Sequence, residues 1–263
     1  DGQLITAFDS MSFAWSVANA IQPDGKIVVG GFVEHSVTGN RYLALARYDS
    51  IGVLDSTFDS DGKAIFRFNN KNSYCQSISI QTDGKIVVGG SVDYNSHYNS
   101  HYLTCRINSD GSIDSSFGSN GGVISILNSD DCSYVYSTVI QPDNKILVAG
   151  IECYDFAYGP YRSWAVIRYN SDGTLDSTFI GFSVTPSTGD DNGASSIILQ
   201  PDNKIVVAGS AGDYWQGYYD FTMYRLHPNG SQDSTFGING KVSSNFTGND
   251  VSLNVRLLST GKF

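Results

Sequence analysis

The sequence predicts an all-β protein, a β-propeller of four-stranded antiparallel blades. One segment occurs four times in 263 residues, starting 59 or 60 residues apart at Gln22, Gln81, Gln141 and Gln200. Such a fixed period is the signature of a repeat architecture. Each period contains four short segments of strand character, and no stretch longer than eight residues has helical periodicity. Four short antiparallel strands per repeat describe one propeller blade.

The order of the elements is the same in every repeat. Strand A, for example "QSISIQ", alternates polar and apolar residues and leads into a Pro-Asp-Gly turn or a close variant, which favours a hairpin. Strand B, "KIVVGG" or "KILVAG", is a continuous apolar run, which is typical of a strand covered on both faces. Strand C, for example "YLALARYD", follows a variable loop, and a turn such as "NSDGSIDSSF" leads to the short strand D, for example "KAIFRF".

The pairing of "QPDGKIVVGG" with "DGxLDSTFG" resembles the delta-60 repeat, a bacterial β-propeller family found in large exported proteins. The resemblance covers essentially the whole chain. It implies a location outside the cell or on a bacterial cell surface, and a place within a larger exported protein or complex. The repeats run over residues 14–70, 71–130, 131–190 and 191–250.

The two ends of the chain match complementary parts of one further repeat. Residues 1–8, "DGQLITAF", match the turn before strand D, although Ile5 stands where the other copies have Asp. Residues 249–262 match a strand A with its turn. We therefore expect residues 1–13 and 251–263 to form a partial fifth blade, which would make residues 1–263 a single domain. Most of strands B and C of that blade have no counterpart, so a short fifth blade and a piece cut from a longer array both remain open.

Composition excludes several classes of function. The chain is 40% hydrophobic and 16% charged, which is typical of a globular protein. A net charge of -10 argues against nucleic acid as a partner, since a phosphate backbone attracts clustered Lys and Arg. No run of about 18 apolar residues is present, so we expect no membrane insertion. The chain starts at Asp1 without a basic and apolar leader, which indicates a mature chain or a fragment.

An arginine near the end of strand C and an aspartate eight residues later recur in all four repeats. A turn such as "NSDGSID" has the residue types of a calcium loop, but it lacks the alternating oxygens and the final Glu of an EF-hand. We therefore favour a structural role, in which each carboxylate caps turn amides and pairs with its arginine. The pairs are Arg47 and Asp55, Arg106 and Asp114, Arg168 and Asp176, and Arg225 and Asp233.

A phenylalanine closes the same turn in every repeat. Because an identical residue in every repeat serves the fold that the repeats share, we expect these rings to be core anchors rather than ligand platforms. They are Phe58, Phe117, Phe179 and Phe236.

No catalytic motif or metal motif surrounds the four histidines, His35, His97, His101 and His227. His97 and His101 lie four residues apart in a loop, where no helical face brings them together. We therefore predict no catalytic residues, no metal and no cofactor.

Two of the four cysteines lie almost symmetrically about the turn between strands A and B of the third repeat. Cys132 and Cys153 are thus a candidate disulfide, although a three-residue loop would place their side chains on opposite faces unless a bulge corrects the register. Cys75 and Cys105 fall on strands A and C, with strand B between them. We expect both to be small buried thiols.

The loops between strands B and C diverge in sequence and length, and they are rich in aromatic residues. Rings presented with Asn, Asp and Ser suit a contact surface for a glycan or a protein. Packing of these rings on one another is the alternative. The candidate ligand-binding residues are Tyr94, Tyr98, His101, Tyr154, Tyr158, Tyr161, Trp164, Tyr214, Trp215, Tyr218 and Tyr219.

From these loops the sequence predicts a non-enzymatic recognition or adhesion module that binds a glycan or protein at a cell surface. Two alternatives stay open. One is a structural spacer within a larger exported surface protein. The other is a propeller lyase or hydrolase. The sequence contains no convergent set of His, Tyr, Arg and carboxylate residues, which argues against this alternative.

Overall fold

A computed structural model describes the chain in eight stretches. They cover residues 5–94, 99–127, 132–154, 161–184, 190–213, 218–244, 250 and 254–257. The chain divides into two compact units, Asp1–Ser125 and Ile126–Phe263.

Each unit consists of two four-stranded antiparallel sheets, in which the strands lie side by side in chain order. In the first unit, sheet 1 contains β1 (Met11–Ile21), β2 (Ile27–His35), β3 (Arg41–Tyr48) and β4 (Lys63–Phe66). Sheet 2 contains β5 (Asn72–Ile80), β6 (Ile86–Asp93), β7 (Ser100–Ile107) and β8 (Gly122–Ser125).

The second unit repeats this arrangement. Sheet 3 contains β9 (Ser133–Ile140), β10 (Ile146–Tyr154), β11 (Tyr161–Tyr169) and β12 (Phe182–Val184). Sheet 4 contains β13 (Asp190–Leu199), β14 (Ile205–Asp213), β15 (Tyr218–Leu226) and β16 (Lys241–Ser244). A single parallel bridge between Arg162 and Asp191 joins the two sheets.

The predicted all-β class and the order of strands A to D are confirmed. The core of the first unit lies between its sheets, where Val28, Leu43 and Leu45 of sheet 1 cluster with Ile86 and Val88 of sheet 2. In the second unit the corresponding cluster is built around Trp164, Ile205 and Val207. The partial fifth blade depends on terminal residues that lie largely outside the described ranges, and it stays a prediction.

Every hairpin between strands A and B carries a β-bulge at the same place. In sheet 2 it lies between Cys75 and Ser77, opposite the last glycine of the repeated segment. A Cβ on that glycine, Gly90, would lie 1.8 Å from the carbonyl oxygen of Tyr74, and Gly31 and Gly209 show the same distance to their own strand A. The close approach of the two backbones explains why this position is glycine in every repeat, whereas the preceding residue is Gly or Ala.

The same bulge determines the pairing of two cysteines. Between β9 and β10 the register shifts beside Gly150, and this shift places Cys132 directly opposite Cys153. The two residues form a disulfide with a Cα–Cα distance of 5.1 Å, and the Cys153 N–H donates to the Cys132 carbonyl at 2.8 Å. Cys75 and Cys105 are buried free thiols.

The repeated arginine, aspartate and phenylalanine form one corner in every sheet. Arginine Nε lies 2.7–2.8 Å from aspartate Oδ2 in all four copies. The guanidinium carbon lies 4.7–4.8 Å from the centroid of the phenylalanine ring. A lysine from the turn between strands A and B reaches the same oxygen at 2.8–3.1 Å. The carboxylates are therefore engaged by the scaffold.

The corner also links neighbouring sheets within a unit. Arg168 Nη1 donates to the carbonyl of Pro228 at 2.6 Å, and Arg47 Nη1 makes the equivalent bond to the carbonyl of Ser109. Each arginine thus fixes the turn of its own sheet and the turn of the next sheet.

The corner aspartates predict a specific dependence of stability on pH. Hydrogen bonds from Lys145 and from the Thr178 hydroxyl hold the pKa of the Asp176 carboxyl well below its usual range, and the other three corner aspartates shift in the same direction. A lowered carboxyl pKa stabilises the folded state above the pKa of the unfolded chain, and this stabilisation is lost as the pH falls below about 4. We expect the corner contribution to the melting temperature to be constant from pH 7 to about pH 5 and to decrease below about pH 4.

Thermal unfolding of the wild type and of Asp176→Asn across this range measures the effect. The difference in melting temperature between the two proteins should narrow as the pH falls. A difference that stays constant down to about pH 2 would show that Asp176 is not ionised in the folded state.

Candidate functional site

Four polar side chains of the first unit meet where strands of sheets 1 and 2 end. Glu34 and Arg41 are cross-strand partners at the ends of β2 and β3, and Asp93 ends β6. Tyr74 lies in β5, two residues from the start of the strand. We call Glu34, Arg41, Tyr74 and Asp93 the strand-end cluster.

The cluster consists of two hydrogen-bonded pairs that lie next to each other, Glu34 with Arg41 and Tyr74 with Asp93. Arg41 Nε lies 2.9 Å from Glu34 Oε2, and the guanidinium lies near enough to the Tyr74 phenol to affect the pKa of that group. The Tyr74 hydroxyl donates to Asp93 Oδ2 at 3.0 Å, and the Ser100 hydroxyl donates to Asp93 Oδ1 at 2.5 Å. Tyr74 therefore lies between a guanidinium and a carboxylate.

Contacts between the two sheets hold Arg41 in place. Its backbone N–H donates to Asn72 Oδ1 at 2.9 Å. The guanidinium carbon lies 5.3 Å from the centroid of the Phe32 ring, which meets the Tyr74 ring edge-on at 5.1 Å. Because Phe32 contacts both residues, it fixes the position of the guanidinium relative to the phenol.

Burial and charge determine the protonation state of the two central groups. Burial, reinforced by the Asp93 carboxylate, raises the pKa of the Tyr74 phenol to about 12, although the nearby Arg41 guanidinium acts in the opposite direction. The hydrogen bond to Glu34 and the nearby Tyr74 phenol raise the pKa of the Arg41 guanidinium. Tyr74 is thus a neutral hydrogen-bond donor at neutral pH, and Arg41 is cationic.

The cluster combines buried and accessible groups. Asp93 is 7% exposed, whereas the side chains of Glu34 and Arg41 are 29% and 35% exposed. A solute can reach Glu34 and Arg41 from solvent. Two carboxylates beside a guanidinium and a phenol can bind hydroxyl groups and can act as a general acid and a general base.

The cluster is confined to the first two repeats, unlike the corner residues. The cross-strand pair equivalent to Glu34 and Arg41 is Cys153 and Arg162 in sheet 3, and Gly212 and Tyr219 in sheet 4. A feature of the shared fold would recur in every sheet, so this difference indicates a site rather than a scaffold.

No single loop or motif contains these residues, because two lie in the first repeat and two in the second, so the sequence analysis did not predict them as a site. The sequence nevertheless contains a pattern that could have predicted the two carboxylates of this cluster. Glu34 and Asp93 both stand three residues after the last glycine of the repeated segment, and both are carboxylates.

In the part of the chain that the structure describes, the predicted ligand-binding residues do not form one surface. The side chains outside that part are those of Tyr98, Tyr154, Tyr158, Tyr161, Tyr214 and Trp215. Tyr218 is 59% exposed, and Tyr219 is half-buried.

Trp164, which we expected on the loop surface, is fully buried in the core of the second unit. Its ring meets Tyr224 edge-on at 5.2 Å, and its Nε1 donates to the Ser210 carbonyl at 3.2 Å. The reason is register: Trp164 stands four residues before the corner arginine of its strand, as Leu43 does in sheet 1. It is a strand residue, not a loop residue.

His101 and Tyr94 pack against each other. Their ring centroids are 4.9 Å apart, His101 is 4% exposed, and its burial lowers the pKa of the imidazole. Asn69 Nδ2 donates to the Tyr94 hydroxyl at 3.3 Å, and Lys71 Nζ donates to the Tyr94 carbonyl at 2.7 Å. The contacts of this pair are those of loop packing.

Among the described residues, no three or more His, Cys, Asp and Glu side chains are grouped so as to hold a metal ion. Within the same ranges no helix has the length and apolarity to cross a membrane.

A sequence-family model described as a domain of unknown function (DUF5122) beta-propeller matches the chain in four segments. They are residues 22–58, 81–117, 141–179 and 200–236, which together exceed half of the chain. The match confirms a β-propeller repeat family. No curated protein matches the sequence.

Solved structures share the fold at low sequence identity. A protein of unknown function from Dyadobacter fermentans has a TM-score of 0.59 at 9% identity, and the match covers 93% of this chain and 72% of that chain. An α-L-arabinofuranosidase of Fusarium graminearum, solved with arabinobiose, has a TM-score of 0.56 at 9% identity, and the match covers 90% of this chain and 68% of that chain. A mutant of this enzyme with an iminosugar inhibitor gives the same values.

The expectation of a non-enzymatic recognition or adhesion module is contradicted by this comparison. Solved proteins with the same fold are named as glycosidases. The sequence showed no convergent set of His, Tyr, Arg and carboxylate residues. The strand-end cluster brings together a Tyr, an Arg and two carboxylates, and it contains no His.

Proposed function

The chain belongs to the DUF5122 β-propeller family, and we propose that it is a carbohydrate-active enzyme that hydrolyses glycosidic bonds at the strand-end cluster. The observation that carries the proposal is the Tyr74 phenol held between Arg41 and Asp93, with Glu34 on the far side of Arg41. The likeness of the fold to an arabinofuranosidase supports the same class of substrate.

The chemistry of glycoside hydrolysis fits these side chains. Hydrolysis at an acetal carbon uses a pair of carboxyl groups, one as proton donor to the leaving oxygen and one as base or nucleophile. Asp93 accepts two hydrogen bonds, from Tyr74 and from Ser100, which aim its oxygens and limit their movement. We assign Asp93 the role of base or nucleophile, and the more accessible Glu34 the role of proton donor once substrate displaces its pairing with Arg41.

Arg41 and Tyr74 orient the carboxylates. The guanidinium can donate to sugar hydroxyls as well as to Glu34, because it has five N–H donors in a fixed fork. The neutral Tyr74 phenol keeps Asp93 hydrogen-bonded without adding a charge. We also propose that the repeats are of the delta-60 type. We propose that the protein lies outside the cell or on its surface, within a larger exported protein, and that its partner is a glycan and not a nucleic acid.

Release of new reducing ends from a panel of polysaccharides, including arabinan, xylan and a β-glucan, tests the proposal. We expect the wild type to cleave at least one of them. Asp93→Asn and Glu34→Gln should each reduce the rate by about 10²–10⁴-fold, since each removes a proton-transfer group without changing its size. Asp202→Asn, which alters an exposed turn carboxylate of sheet 4, serves as the matched control and should retain the wild-type rate.

Circular dichroism of each variant checks that the fold is intact. If Asp93→Asn and Glu34→Gln cleave at the wild-type rate, the strand-end cluster does not take part in the reaction. Failure of the wild type to cleave any polysaccharide of the panel would count against an enzyme and favour the spacer alternative.

A further inference from the structure

Strand β1 carries two large aromatic side chains that are exposed to solvent. Trp15 is 57% exposed and Phe13 is 44% exposed. Their rings are stacked, with centroids 5.9 Å apart and an interplanar angle of 28°. Burial in the core therefore does not account for either ring.

These two rings continue inward to the strand-end cluster. The Phe13 centroid lies 6.1 Å from that of Phe32, and the Phe32 ring meets Tyr74 edge-on at 5.1 Å. Trp15, Phe13, Phe32 and Tyr74 thus form a row of four rings, which we call the aromatic row. Its outer end is in solvent and its inner end is the phenol bound to Asp93.

The outer end of the row is absent from the other sheets. In sheet 2 the positions of Phe13 and Trp15 are occupied by Asn72 and Tyr74, as the shared register of the two hairpins shows. In sheet 3 the position of Phe13 is occupied by Cys132, which forms the disulfide. The repeated fold does not require an aromatic pair at these positions.

From this continuity we propose that the aromatic row binds successive sugar rings of a neutral polysaccharide and leads the chain to the strand-end cluster; the inference rests on the proposed function. Exposed aromatic faces offer flat apolar area to the C–H faces of sugar rings at little cost in conformational entropy. A net charge of -10 disfavours an anionic polymer, so the substrate class is a neutral polysaccharide rather than a polyuronate. The outer rings contribute binding only when the substrate is long enough to reach them.

Native gel electrophoresis in gels that contain a neutral polysaccharide tests this inference. The Asp93→Asn protein is used throughout, so that the polymer is bound and not cleaved. The probes are arabinan, xylan and a β-glucan, with polygalacturonate as the anionic comparison. We expect retardation by at least one neutral polymer and an affinity about tenfold or more lower after Trp15→Ala.

Ile21→Ala is the matched control, because Ile21 is 70% exposed on the same strand and lies outside the aromatic row. It should leave the retardation unchanged. Equal retardation with and without Trp15 would overturn the inference, as would retardation by polygalacturonate alone. Lack of retardation by every neutral polymer would also overturn the inference. If size-exclusion chromatography then showed dimers that depend on Trp15, the exposed rings would be assigned to a contact with a second copy of the chain.

The binding assay and the cleavage assay separate the two proposals. Trp15-dependent retardation without cleavage by the wild type would refute the proposed function and leave the aromatic row as a binding site. If the wild type and Trp15→Ala both cleave the polymer with the same KM, the result would support the proposed function. It would refute binding of the polymer by the aromatic row.

Discussion

The Gly90→Ala variant is expected to lose about 3 kcal/mol or more of folding free energy, because the new methyl group has no space. A Cβ at this position would lie 1.8 Å from the carbonyl oxygen of Tyr74, which is backbone and is held by the pairing of β5 with β6. Relief of the clash requires the bulge to open and the ladder hydrogen bonds beside it to break. The melting temperature should fall by roughly 2–4 °C for each kcal/mol lost.

Gly84→Asn is the matched control for this variant. Gly84 has a φ of +82°, and the equivalent residues of sheets 3 and 4, Asn144 and Asn203, adopt a φ of 63°. Asparagine therefore fits this turn, and the control should unfold close to the wild-type temperature. A Gly90→Ala protein as stable as the control would show that the hairpins of strands A and B do not approach as closely as the bulge requires.

Arg168→Met should cost about 3–5 kcal/mol, the cost expected when one partner of a buried ion pair is removed. The change removes the bond from Nε to Asp176 at 2.8 Å, the bond from Nη1 to the Pro228 carbonyl at 2.6 Å, and the contact of the guanidinium with the Phe179 ring. Asp176 is 4% exposed, and among the described residues it would keep Lys145 as a cationic partner.

Arg162→Met tests the specificity of this effect, because Arg162 is an exposed arginine of the same strand. Arg162 has contacts of its own, but contacts of exposed charged side chains contribute about 1 kcal/mol or less, so this variant should lose far less stability than Arg168→Met. Chemical denaturation of both variants provides the comparison. If Arg168→Met were no less stable than Arg162→Met, the corner residues would not stabilise the fold. A functional role for the four repeated Arg and Asp pairs would then be the better explanation.

The repeating parts of the structure could be predicted because their causes are local. Turn residues and alternating or continuous apolar runs determine strands A to D, and the bulge that aligns Cys132 with Cys153 follows from the register of one hairpin. The glycine at Gly90 and its equivalents marks that bulge in the sequence.

The strand-end cluster could not be predicted in the same way. Glu34 and Arg41 come from one sheet, and Tyr74 and Asp93 come from the next, so their proximity depends on how two sheets pack. Trp164 illustrates the reverse error. Aromatic composition placed it with the loops, whereas its distance from the corner arginine places it in strand β11 and in the core.

Incubation of the purified protein with a susceptible polysaccharide in ¹⁸O-labelled water, followed by mass spectrometry of the products, tests the central claim most directly. Hydrolysis at the strand-end cluster predicts that each new reducing end contains one oxygen from the labelled water, and that Asp93→Asn forms almost none of this product. Unlabelled products with an unsaturated sugar end would identify a lyase instead. Labelled products formed at the same rate by the wild type and by Asp93→Asn would contradict the account, because they would place the reaction elsewhere on the molecule.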